Sequence, residues 1–302
     1  MKKHKICKIL LVILAIFLCV AFYELLGICV AYKKQPEVSN TTKKETKNGS
    51  WNECSENTER AVIIEKNPEA LLQRVRLIKN AKKEIILSTF AFQSDESGKL
   101  ILGALHDAAD RGVHIRLLVD GMESWIDMEG NPYFYGLSSH ENVEIKLYNK
   151  ANPLKPWKMM GRMHDKYLIA DGKRYILGGR NTYNYFLGDF PGHKNYDRDV
   201  LVVCDEPEKE NSVNQLLEYF ETIWEQEDSG YFHNNKKLAN RKSVKNAVLE
   251  LQNGYQKYFE ENKERICDTD YTDETFETEK IALVSNPIHT GSKEPVVWYQ
   301  LG

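Results

Sequence analysis

The first strong pattern along the chain is an apolar run. Residues 9–32, ILLVILAIFLCVAFYELLGICVAY, contain one charge, Glu24. A bilayer-spanning helix takes about 20 apolar residues, whereas the apolar core of a cleaved signal is usually about 7–15. The run therefore predicts an uncleaved anchor over residues 1–34, with a cleaved signal as the rival reading. Lys2, Lys3, Lys5 and Lys8 crowd one flank, and the lysines beyond the other flank are more dispersed. The positive-inside tendency then places the N-terminus inside the cell membrane and the body outside it. Residues 35–60 are polar and aperiodic, the composition of a solvated tether.

From Ala61 the pattern alternates between two periods. Ala61–Ile64 reads as a strand; a helix opens at Pro68, with Leu71, Val75 and Ile78 on one face. Glu84–Phe90 is a second strand, and Ile101, Leu105 and Ala108 mark a helix that stops at Arg111-Gly112. Val113–Val119 and Val143–Leu147 are further strands. Strand, helix, strand, helix, strand implies right-handed crossovers. The expected fold class is α/β: a mixed, largely parallel sheet flanked by helices, behind an N-terminal transmembrane helix. Val213, Leu216, Leu217, Phe220 and Trp224 mark an amphipathic helix closing a lobe over residues 61–225. Residues 226–279 read as an acidic helical connector, and 280–302, with a strand at Ile281–Pro287, as the start of a second lobe left incomplete.

Charge changes this picture in one respect. The net charge of −3 combines a basic first 47 residues, at +6, with a body at −9. Proteins that grip nucleic acid without sequence preference usually carry a basic patch, so generic nucleic-acid binding is not expected. Of six cysteines, Cys7, Cys19 and Cys29 lie in or beside the apolar run, and Cys204 ends a strand-like stretch. Cys54 and Cys267 lie in polar surroundings, where an oxidising space would allow a bridge. No pair has metal-ligand spacing, so neither a metal nor a cofactor is expected.

The stretch that carries chemistry is Arg162–Asn181, RMHDKYLIADGKRYILGGRN. Tyr167–Ala170 and Tyr175–Leu177 are strand-like and joined by Asp171-Gly172, a hairpin dipeptide. His164 and Lys166 are two apart, so on an extended chain they share a face. Gly178 and Gly179 allow close backbone approach, and Asn181 adds an amide donor. Imidazole, ammonium and amide together suit a phosphate, with the imidazole as nucleophile. A lone His at a strand edge is more often structural, which is how His106, His114 and His140 read.

The whole constellation, His164-x-Lys166, Asp171 and Gly178-Gly179-x-Asn181, resembles the HKD motif of the phospholipase D superfamily. Thr89-Phe90, Ala109–Val113, Leu118–Gly121 and Asp197–Val202 extend the resemblance toward cardiolipin synthases. The resemblance implies that His164 attacks phosphorus and that Lys166 and Asn181 hold the non-bridging oxygens. It further implies that Asp171 completes the motif and that Asp199 hydrogen-bonds His164. A purely structural turn role for Asp171 stands beside direct contact with the site.

Members of that superfamily usually face two such motifs across a pseudo-two-fold axis, and this sequence has one. The leading expectation is a membrane-anchored phosphatidyltransferase or phosphodiesterase acting on a phospholipid, in truncated or single-motif form. A homodimeric HKD nuclease and a catalytically inactive half-enzyme are the alternatives. A homodimer would complete the site by pairing two His164 residues.

Overall fold

The computed structural model describes residues 2–33, 59–158, 161–204, 211–278 and 281–285. Helix α1 (Lys2–Lys33) runs through the apolar segment, and its stretch His4–Gly27 is long and apolar enough to cross a membrane. Its side chains from His4 to Val20 stand free of the body. Only near its end does it meet the rest of the chain. Ala21, Glu24 and Gly27, one helical face, are partly covered, and the helix packs on the 3-10 turn Pro156–Lys158.

The body is one nine-stranded mixed sheet with helices on both faces. Its strands are β1 (Arg60–Ile64), β2 (Glu84–Thr89), β3 (His114–Asp120), β4 (Val143–Tyr148), β5 (Tyr167–Ala170), β6 (Arg174–Gly178), β7 (Asp199–Val203), β8 (Ser229–Tyr231) and β9 (Phe276–Glu277). Their spatial order is β8-β4-β3-β2-β5-β6-β7-β1-β9. Parallel pairing is narrower than the strand–helix alternation suggests: only β2–β3 and β3–β4 are parallel. The hairpin β5–β6 and the return strand β7 run antiparallel. β1 lies four strands from β2, beside β7.

Alternation along the strands fills two cores. Ile85, Leu87, Ile115, Leu117, Leu168 and Ile176 face a large core under α2 (Asn67–Asn80), α3 (Glu96–Asp110), α5 (Pro132–Ser138) and α7 (Lys242–Glu261). Ile86, Leu118, Tyr167, Ile169 and Tyr175 face a smaller one under α6 (Ser212–Trp224), whose Val213, Leu216, Phe220 and Trp224 supply the other side. The period of two is therefore read on both faces, as a sheet covered on each side requires. Local signals start the helices: Asp95 caps α3 by accepting from Gly98 N–H, and Asn211 caps α6 by accepting from Asn214 N–H.

The segment after residue 225 is no detached connector. β8 extends the sheet beyond β4, and β9 extends it beyond β1. Val244, Ala247, Leu251, Tyr255 and Phe259 form the buried face of α7, which lies on α3 and α5. A short helix, α8 (Lys263–Cys267), and the following turn are then held by Arg76. Its buried guanidinium donates to the Asp268 and Asp270 carbonyls, pairs with Glu274 and lies 3.9 Å above the Tyr271 ring. Acidic composition hid this because the acids sit on the outer face, while the buried residues recur every three or four positions. Residues 281–285 are irregular where a strand was expected, and the rest of 280–302 lies outside the described residues, as does Cys54. Cys267 is exposed and unbridged.

The α3–α7 crossing is tight at Gly103. A Cβ there would stand 2.7 Å from the Leu251 carbonyl oxygen and 2.7 Å from Tyr255 Cβ. Gly103→Ala should therefore force the helices apart and cost about 1–3 kcal/mol, the range for overpacked cores. Thermal denaturation checks it; an unchanged midpoint would contradict the integration of α7 into this core.

Candidate active site

The site forms at one edge of the sheet, where β2 and β3 end and β5 begins. Asp120, the last residue of β3, is buried and organises the approach to β5. Its carboxylate accepts from Met163 N–H at 3.0 Å and from Arg162 Nε, and it also pairs with Arg162 Nη2. The backbone is thus delivered extended into His164-Asp165-Lys166. The β5–β6 ladder continues past the strand ends, with Gly178 N–H donating to the Lys166 carbonyl.

His164 is exposed, and its ring meets Phe90 edge-on at 4.6 Å between centroids. Partial burial lowers its pKa, reinforced by the positive charges of Lys166 and Arg162 and opposed by Asp120. A neutral imidazole is therefore the resting form at neutral pH. Lys166 is buried; its ammonium donates to the His164 carbonyl at 2.5 Å and sits 5.5 Å from the Phe90 ring centre. Desolvation pushes its pKa down to about 8, while Asp165 and Asp197 pull the other way. Lys166 makes no ion pair among the described residues. Asp165 lines the same cleft as His164 and Lys166 and accepts from the Tyr219 hydroxyl at 2.9 Å; burial raises its pKa.

His164, Lys166 and Gly178 line one cleft of about 220 Å³, closed on its far side by Leu216 and Tyr219 of α6 and by Leu283–Ser285. Asn181 does not line it. Its side-chain oxygen accepts from Ala91 N–H at 3.3 Å, which ties it to the Phe90-Ala91 turn.

Two expected roles are corrected here. Asp171 sits at the other end of β5, about 16 Å along an extended chain from Lys166. With Gly172 it forms the hairpin turn in the left-handed region, φ 54° and 62°. Its carboxylate accepts from the backbone N–H groups of Lys82, Lys83 and Glu84, at 2.7–3.1 Å. It staples the turn to the start of β2 and does not touch the cleft. Asp199 does not hydrogen-bond His164 either. It is fully buried between two guanidiniums, Arg74 at 2.9 Å and Arg180 at 3.3 Å. Buried charge is tolerated only when paired, and both arginines pair with one carboxylate oxygen, Oδ2; Oδ1 lies against Gly178 without a hydrogen-bond partner among the described residues.

The glycines follow from the same packing. A Cβ on Gly178 would collide with the Asp199 carboxylate, and one on Gly179 with that of Asp197. They admit protein carboxylates; only Gly178 also borders the cleft.

The family model described as "Cardiolipin synthase, PLD-like domain" matches residues 74–224. This chain belongs to that family. Cardiolipin synthase C of Escherichia coli (strain K12) is 29% identical over 171 residues, 52% of this chain and 34% of that protein. An uncharacterised protein of Helicobacter pylori (strain J99 / ATCC 700824) is 30% identical over 212 residues, 65% of this chain and 39% of its own length. The chain thus spans well under half of these curated relatives. Among solved structures, phosphatidylserine synthase of Haemophilus influenzae Rd KW20 aligns with a TM-score of 0.47 at 17% identity, covering 73% of this chain and 48% of that one.

In this cardiolipin synthase-like chain the cleft offers a neutral imidazole beside an unpaired, half-desolvated ammonium. Such a pair can attract an oxyanion and present a nitrogen lone pair to it. Asp120, Phe90, Asp165 and Asp197 surround the pair, and sequence reasoning assigned none of them a role. Asp120, Phe90 and Asp197 lie in stretches that carry the family resemblance; Asp165 had no signal beyond its place between His164 and Lys166.

Two measurements test this geometry. Asp171→Asn should cost about 1–3 kcal/mol of stability, because charged acceptors for three N–H groups are weakened, and should leave oxyanion affinity unchanged. A large affinity loss with full stability would return Asp171 to the site. Lys166 is protonated below a pKa of about 8 and neutral above it. Tungstate binding measured by calorimetry should therefore weaken as pH rises through about 8. Lys166→Arg should carry binding past that point, because a guanidinium stays charged.

Proposed function

We propose that this chain is a membrane-anchored phosphatidyl-transfer enzyme working through a phosphohistidine. In that reading His164 attacks the phosphorus of a phospholipid diester. An N–P bond forms, the P–O bond to the leaving alcohol breaks, and water or a second alcohol later displaces the imidazole. Lys166 neutralises the non-bridging oxygens, and Asn181 supports the Phe90-Ala91 turn beside them. The observation that carries this reading is the placement of His164 and Lys166 in one cleft, with the ammonium hydrogen-bonded to the His164 carbonyl and without an ion pair among the described residues. No metal is invoked, because Lys166 supplies the charge that the anion needs.

Lipid is favoured over nucleic acid by the apolar helix α1 and by the negative balance of the body. We place residues 1–34 as anchor and 35–60 as tether, with the body outside the membrane. The leaving alkoxide needs a proton from a second acid on the opposite side of phosphorus. Among the described residues the cleft holds one imidazole, and His164 of a second copy, related by a two-fold axis, would supply the other.

Detergent-solubilised protein should release or transfer phosphatidyl groups from phosphatidylglycerol and leave single-stranded DNA intact; cleavage of the DNA alone would replace this reading with a nuclease. His164→Ala should reduce turnover by several orders of magnitude, since it removes the covalent catalyst. Retention of more than about a tenth of the activity would refute the nucleophile. Mass in detergent, measured on the active sample, should correspond to two chains.

A further inference from the structure

We infer that the body itself docks on the bilayer, through an apolar platform formed by Trp125, Ile126 and Leu154 at the strand edge where the site opens. This rests on the reading of α1 as an anchor and extends it to the catalytic body.

Three observations converge. Trp125 and Ile126 lie on the short helix α4 (Glu123–Asp127), which leaves β3 directly after Asp120, and they are 69% and 72% exposed. Leu154, 79% exposed, lies on the loop that leaves β4 and returns to His164. These segments start from paired strand ends, Asp120 opposite Tyr148, and are tied again by Asp120 to Arg162. Both segments therefore leave the sheet at the end that holds the site. Single exposed apolar residues need no explanation, but large ones gathered at one edge mark an interaction surface.

The position of α1 identifies the partner. The Tyr23 hydroxyl donates to the Leu154 carbonyl at 2.9 Å. A hydrocarbon core takes about 20 helical residues. Counted from His4, that span ends at Tyr23; counted from Ile9, it ends at Ile28. Either count puts the Tyr23–Leu154 contact at or inside one boundary of the bilayer. Glu24, the acid of the apolar run, faces the covered side of α1 and not the lipid. Lys155, exposed on the same loop, and Lys150, whose ammonium donates to the Tyr231 carbonyl, add positive charge there that suits headgroups of negative charge. An aromatic ring such as Trp125 favours that interfacial depth. Docked this way, the site edge meets headgroup phosphates at the membrane, so a lipid diester need not leave the bilayer to reach Lys166.

The test uses the full chain in vesicles of phosphatidylglycerol and phosphatidylethanolamine. Photoreactive benzoylphenylalanine is placed, one site at a time, at Leu14, Ile126, Leu154 and Phe276. Phe276, 74% exposed on β9, lies at the opposite edge of the sheet and is the control. Lipid adducts, read by mass spectrometry, are expected at Leu14, Ile126 and Leu154 and at least tenfold fewer at Phe276. Adducts at Leu14 without adducts at Ile126 and Leu154 overturn the platform and leave the anchor standing. Their absence at all sites overturns both. Adduct formation needs no turnover, so it is independent of whether the chain transfers phosphatidyl groups.

Discussion

Everything at the site depends on holding one ammonium largely out of water. A buried lysine loses hydration that nothing but a close counter-charge restores, and the cost shows in a Lys166 pKa of about 8. The surroundings offset that cost only in part. The His164 carbonyl accepts its proton, the Phe90 ring offers its face, and Asp165 and Asp197 act from a distance without forming an ion pair. The result is a cation that gains most from an arriving oxyanion. Partial burial holds the His164 pKa down and the same positive charge reinforces it, so one buried lysine bears on both the anion and the imidazole.

The frame around it is rigid for independent reasons. Asp120 fixes the entry to β5 through Arg162 and Met163, and Asp199 fixes the β6–β7 side through Arg74 and Arg180. Asp171 locks the distal turn to β2. Three carboxylates thus position the catalytic strand from both ends while none of them enters the cleft. In the proposed chemistry, preorganisation of this kind would spare the imidazole and ammonium a rearrangement at the moment of reaction.

Strands and helices up to residue 224 were legible because their burial follows local periodicity, and the His164–Lys166 pair was legible because two-residue spacing fixes a common face. Partner choice was not. Asp171 belongs to the motif by spacing and Asp199 to a stretch beyond it that shares the resemblance, but spacing cannot say whether a carboxylate finds an imidazole, a guanidinium or a backbone turn. That is decided by Arg74 and Lys82–Glu84, residues 125 and about 88 positions away. Residues 226–277 were misread for a related reason. β8 and β9 are three and two residues long, too short to show a period, and they join the sheet through strands far away in the chain. The parallel content was overstated because order along the chain does not reveal that β1 pairs with β7.

The central claim is that His164 makes a covalent bond to phosphorus. The direct measurement is mildly alkaline quenching of the protein during turnover of phosphate-labelled phosphatidylglycerol, followed by peptide mass spectrometry, because phosphoimidazoles survive base and break in acid and the label stays on the ring even where acyl esters are lost. The account predicts a phosphatidyl group on the His164 ring that appears before product and decays with it. Turnover with no adduct on His164, or with the label on another residue, would contradict it.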